Sequence, residues 1–77
     1  MTPAQCRAAR ALVRLSQDDL AEASKVAKAT IAAFELDQRQ PYPRTLVALR
    51  SALEDHGVVF IAENGGGAGV RLRDMEK

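Results

Sequence analysis

A chain of 77 residues with 47% hydrophobic content, three aromatics and a net charge of +1 reads as one small, alanine-rich domain of close-packed helices, and excludes a disordered or fibrous chain. Such a domain buries only about 60% of the surface its unfolded form exposes, so a monomer is marginal and oligomerisation is the expected remedy. One cysteine, Cys6, makes no internal disulfide, MTPAQCRAAR at the start has no signal-peptide apolar run, and VVFIA at 58–62 is far below the roughly 20 residues of a membrane span; a cytoplasmic protein that does not enter membranes is expected.

The first predicted helix opens at Thr2, whose hydroxyl caps it, with Pro3 at the first helical position and Gln5 placed to complete a capping box. It runs to about Arg14, with Ala9, Leu12 and Val13 as its apolar stripe and Ala8 beside them. Ser16 caps a second, short helix over 17–24, where Asp18 and Asp19 favour the positive end of the macrodipole and Leu20 and Ala21 face inward. A turn at Lys25 and Val26 leads to a third helix over 28–36, in which Ile31 and Phe34 are three residues apart. DQRQPYP at 37–43 breaks it, because proline neither continues a helix nor tolerates helical geometry just before itself.

Leu46, Leu49 and Leu53 recur at helical spacing and predict a fourth helix over 44–55, with Gly57 past its end and His56 as a capping residue. The period then changes. GVVFIAE and GVRLR are β-prone runs around NGGGAG, which predicts a hairpin over 58–73, followed by a flexible tail at 74–77. The fold class is mainly α, and charge is uneven along it: residues 1–50 hold eight Lys/Arg against five acids, and residues 51–77 three against five. A mildly basic body with an acidic end is compatible with phosphate binding on one face.

Four short helices with a tight turn between the second and third match the geometry of a helix-turn-helix, whose third helix lies in the major groove. LSQDDLAEAS at 15–24 and TIAAFELDQRQP at 30–41 resemble the Cro/C1-type family of phage repressors and small bacterial regulators. That family's pattern runs L-S-Q-x-x-L-A, a turn, T-I-x-x-x-E, and a basic segment ending in proline. Leu15, Ser16, Gln17, Leu20, Ala21, Val26, Thr30, Ile31, Glu35, Arg39 and Pro41 match it, and the resemblance covers roughly residues 7–57. It implies a lambda-repressor-like bundle of four to five helices, here with a C-terminal hairpin, in a bacterial or phage regulator. Two departures stand out: Lys25 and Asp37 occupy places where the family favours glycine, and a left-handed non-glycine residue costs about 1 kcal/mol.

The resemblance carries roles with it. Lys28, Ala29 and Thr30 at the start of the third helix, with Ala33 further along, would meet base edges, Lys28 at guanine O6/N7 and the alanines at thymine methyls. Thr30 could serve a phosphate instead. Gln17, Lys25, Arg39 and Arg44 would hold phosphates. Gln17 could also brace a side chain of the third helix. Each role has a plainer alternative: Gln17 as no more than a good first-turn residue, Lys28, Arg39 and Arg44 as solvated charges, and the alanines as helix formers. Arg10 and Glu35 match the family's structural ion pair.

No nucleophile-base pair, carboxylate pair or phosphate loop is present, and GGGAG lacks the Lys-Ser/Thr of a P-loop, so an enzyme is the least supported class. Neither cofactor nor metal is expected, because Cys6 and His56 satisfy no ligand spacing; Cys6 reads as a small buried or half-buried residue, with a redox-sensing role as the alternative. VVFIA is apolar on both faces, so the hairpin should pack on the helices on one side and on a second copy on the other. Val58, Val59, Phe60, Ile61, Val70 and Leu72 are the expected homodimer interface, by strand pairing or face packing. The expectation is a repressor on double-stranded DNA with an inverted-repeat operator; the alternative is an antitoxin-type module whose exposed tail holds a toxin.

Overall fold

The computed structural model describes residues 1–74 and contains α1 (Pro3–Val13), α2 (Gln17–Ser24), α3 (Lys28–Glu35), α4 (Pro43–Asp55), β1 (Val58–Ile61) and β2 (Gly69–Leu72). Of the tail expected at 74–77, residues 75–77 lie outside the described residues. The chain is mainly helical, with one C-terminal antiparallel hairpin in which Val58 faces Leu72 and Ile61 faces Gly69.

Local chemistry sets the helix boundaries. Thr2 Oγ1 accepts from Gln5 N–H at 3.0 Å while Gln5 Oε1 accepts from Thr2 N–H at 2.9 Å, and the Ser16/Asp19 pair repeats that reciprocal cap at 2.9 and 3.0 Å. Pro43, not Arg44, opens α4, because its fixed φ suits the first helical position. At the other ends, α1 stops one residue before Arg14 and α3 one before Leu36. Arg14 adopts left-handed geometry (φ 58°), which closes α1 without glycine.

The core joins Cys6 and Ala9 of α1, Leu20 of α2, Ile31 and Phe34 of α3, Leu49, Ala52 and Leu53 of α4, and Val58 of β1. Val26 and Leu46 pack against it half-buried. The stripe of α1 differs from expectation. Cys6, Ala9 and Val13, spaced three and four apart, point inward, whereas Leu12 falls to the side and stays 38% exposed, and Ala8 is exposed. Cys6 is thus a core residue of α1 and Leu12 is not.

The hairpin shares this core, since Phe60 and Val70 pack onto it beside Val58. A second tie comes from the buried amide of Gln5, whose Nε2 donates to the carbonyls of Gly69 at 2.9 Å and Ile61 at 3.3 Å. One side chain therefore caps α1 with its oxygen and clasps both strands with its nitrogen. Gly57, at φ +103°, makes the abrupt change from α4 to β1 that a side chain would strain. Arg50 of α4 lies over the Phe60 ring at 5.0 Å, a further tie between that helix and β1.

Gln5→Glu keeps the acceptor for Thr2 N–H but turns a carboxylate toward two carbonyls. It is expected to lower stability by about 1–3 kcal/mol and to speed amide exchange in 58–61 and 69–72 more than in α2 and α3. Equal exchange in hairpin and helices would contradict the clasp.

Candidate nucleic-acid interface

Eight-residue α2 and α3 meet through a turn that contains no glycine. Lys25 takes the left-handed conformation there (φ 62°), and its N–H donates to Ala21 C=O at 2.9 Å. Ser24 stabilises the turn further: its hydroxyl donates to Leu20 C=O at 2.6 Å and accepts from Val26 N–H at 3.2 Å. This side-chain brace offsets part of the strain that a lysine incurs in place of glycine.

The start of α3 has Ala27 as its N-cap and no side-chain cap, and α4 likewise starts at Tyr42 without one. Uncapped N-terminal amides at the positive end of a helix favour anions. A cleft of about 460 Å³ lies between these helix starts, with Lys25, Thr30, Arg39, Tyr42 and Thr45 in its wall. Three residues expected at DNA, Lys25, Thr30 and Arg39, are thus brought together; Gln17, Lys28, Ala29, Ala33 and Arg44 lie outside the cleft. Tyr42, 72% exposed, and Thr45 are additions that no motif singled out. Tyr42 carried one legible signal, an aromatic between two prolines in a basic segment.

Lys28, the first residue of α3, extends to Asp18 of α2, with Nζ 3.2 Å from Oδ1 and 3.3 Å from Oδ2. Ala29 beside it is exposed and Ala33 half-buried. Exposed Arg39 and Arg44 flank the loop before α4, and among the described residues no ion pair engages either of them or Lys25.

Behind this face lies Glu35, whose side chain is only 3% exposed. Arg10 grips it through two bonds of 2.7 Å, from Nε to Oε2 and Nη2 to Oε1. Gln17 Nε2 donates to Oε1 at 3.0 Å and Cys6 Sγ to Oε2 at 3.1 Å, while Arg7 donates to the Glu35 backbone carbonyl. Arg10 also reaches Leu15 C=O at 3.1 Å, tying the α1–α2 link into the same cluster. Gln17 therefore braces α3, with its second amide hydrogen uncommitted to Glu35.

Burial alone works against ionisation of Glu35, but the hydrogen bonds from Arg10, Gln17 and Cys6 outweigh it and hold the carboxyl below its ordinary value. Cys6 responds in the opposite sense: burial first, then the adjacent Glu35, pushes its thiol up to about 12. A thiol held protonated in this way is a donor and an inert core residue.

These elements are the ones a family description covers. The Helix-turn-helix family matches residues 7–54, most of the chain, and the protein belongs to this Cro/C1-type family of DNA-binding domains. A comparison with curated proteins found no match. Among the described residues no helix is long and apolar enough to cross a membrane.

Removing one partner of a buried ion pair typically costs about 3–5 kcal/mol, and because Arg10 is 19% exposed Glu35→Gln is expected near the lower end. The pH dependence has a defined sign. With its folded pKa lowered from 4.5, Glu35 contributes fully above that value and loses its contribution as pH falls through the lower folded one. The urea midpoint should be flat near neutrality and drop below about pH 4.5; a midpoint that rises on acidification would contradict this.

Proposed function

We propose that this chain is a sequence-specific transcriptional repressor that binds an inverted-repeat operator as a homodimer, with α3 in the major groove. The observation that carries the reading is the juxtaposition at the start of α3: uncapped amides, Lys28 at the helix tip, and beside them a cleft holding Lys25, Thr30 and Arg39. In this reading Lys28 hydrogen-bonds guanine O6/N7, Ala29 and Ala33 touch thymine methyls, and Thr30 meets a base edge or a phosphate. Lys25, Arg39, Arg44 and the second amide hydrogen of Gln17 hold phosphates, which fix orientation without reading sequence. The protein acts in the cytoplasm, needs no cofactor or metal, and represses by occluding polymerase.

The hairpin supplies the second copy's docking edge. Arg73 N–H donates to Gly57 C=O at 2.7 Å, so by antiparallel alternation residues 57, 59 and 61 bond toward β2. Val58 and Phe60 then turn their backbone groups to the open edge of β1, which no strand among the described residues covers. Pairing of two β1 edges about a two-fold axis would join Val58, Val59, Phe60 and Ile61 of both copies, with Val70 and Leu72 on the strands behind. Val58 would contribute backbone alone, because its side chain belongs to the core. A hairpin folded onto the helices also favours a regulator over a module that presents its tail to a toxin.

Selection of bound sequences from random DNA tests this reading. The wild type should enrich an inverted repeat with half-sites about 34 Å apart, one helical turn, and sediment on it as a dimer. Lys28→Ala should relax one base-pair position by about 5–150-fold, the equivalent of about 1–3 kcal/mol. A protein that stays monomeric on DNA at micromolar concentration would overturn the dimer, and uniform weakening by Lys28→Ala would make Lys28 a phosphate contact.

A further inference from the structure

Two acids stand side by side in the first turn of α2, and they are used differently. Asp19 is committed to the capping box, where it accepts from Ser16 N–H at 3.0 Å. Asp18 turns outward and across the helix-turn-helix to Lys28, ten residues on, with both carboxylate oxygens within 3.3 Å of the ammonium. Pair and face are open to water, with the two side chains 55% and 74% exposed, so the contact adds little to folding. An acid beside the tip of a groove-reading helix is also unfavourable for DNA binding as such, because it repels phosphate.

Asp18 favours the positive end of α2, but that needs no partner on α3, and the reach to Lys28 adds little to folding while it opposes the charge of DNA; the geometry points to specificity: Asp18 is a positioning residue that confines Lys28 to a base edge. Lysine is a point charge on a flexible stem and settles on a phosphate as readily as on guanine when nothing directs it. The Asp18 carboxylate alters that choice in two ways. It holds the ammonium at the start of α3, so part of the rotamer freedom is already lost before DNA arrives. Its negative charge also raises the energy of any Lys28 pose in which the pair lies against the phosphate backbone. The base-edge pose is less affected, because the groove floor presents neutral acceptors.

This inference rests on the base-reading role proposed for Lys28, and the test separates the two. Random-sequence selection would be run on the wild type, Asp18→Asn, Asp18→Glu, Lys28→Ala and the Asp18→Asn/Lys28→Ala double variant, with helix content and melting checked for each. Asp18→Asn should lower discrimination at the one base-pair position that Lys28→Ala relaxes, by about two- to fivefold, the range open to an exposed ion pair. It should also tighten binding to non-specific duplex, because one repelling charge is gone. Asp18→Glu should restore the preference, and the double variant should match Lys28→Ala in preference.

Asp18→Asn that strengthens all sequences by one factor, with the preference intact, would overturn the positioning role and leave only charge repulsion. An effect at a different base pair, or one that persists in the absence of Lys28, would overturn it equally. If Lys28→Ala itself weakens every sequence alike, the base-reading role fails first and the positioning of Asp18 falls with it.

Discussion

A carboxylate almost wholly removed from water is tolerated only if donors surround it, and the side-chain donors to Glu35 come from two other helices. Arg10 and Cys6 are in α1, Gln17 opens α2, and Glu35 itself is the last residue of α3. The buried charge therefore acts as a joint: each helix must sit where its donor reaches the same two oxygens. Without that constraint, a core of Leu, Ile, Ala and one Phe could slide by a turn at modest expense, since hydrophobic burial is not directional. The ion pair ties α3 to α1 and the Gln17 bond ties it to α2, and together they constrain the direction in which Lys28 and Ala29 face.

The alanine-rich α3 makes sense on this frame. A helix with few polar side chains has little to read with by itself, so recognition depends on how accurately it is presented and on what surrounds it. Lys25, Thr30 and Arg39 meet around one cleft, and two uncapped helix starts add their amides to the same face. Such a surface is better suited to gripping and orienting the backbone than to an extensive base code. For the homodimer proposed above, specificity would then draw on the spacing of two half-sites and on DNA shape as well as on direct contacts.

Much of the fold was legible because it is written in local chemistry. Thr2 with Gln5 marks where α1 begins, Ser16 marks where α2 begins, the prolines at 41 and 43 mark where α3 cannot continue, and the change of period after Gly57 marks the hairpin. The misses share a cause, namely that a side chain with several options chooses by contacts far away in sequence. Leu12 looked as good a core residue as Cys6 until the other helices were in place. Gln5 announced its cap but not its clasp on strands 56 and 64 residues away. The Asp18–Lys28 pair is absent from any motif, because it exists only once the tight turn sets two helix starts side by side. The same holds for Tyr42 and Thr45, which line the cleft through the path of the loop between α3 and α4.

The central claim is that one face, built from the starts of α2, α3 and α4, meets DNA while the hairpin meets another protein chain. The most direct measurement is a titration of isotope-labelled protein with its selected operator, followed residue by residue through backbone amide shifts. The account predicts the largest changes at Gln17, Lys25, Lys28 to Ala33 and Arg39 to Thr45, with the glycine-rich loop at 62–68 unaffected. Changes centred on that loop or on the outer face of β2, with α3 silent, would contradict it.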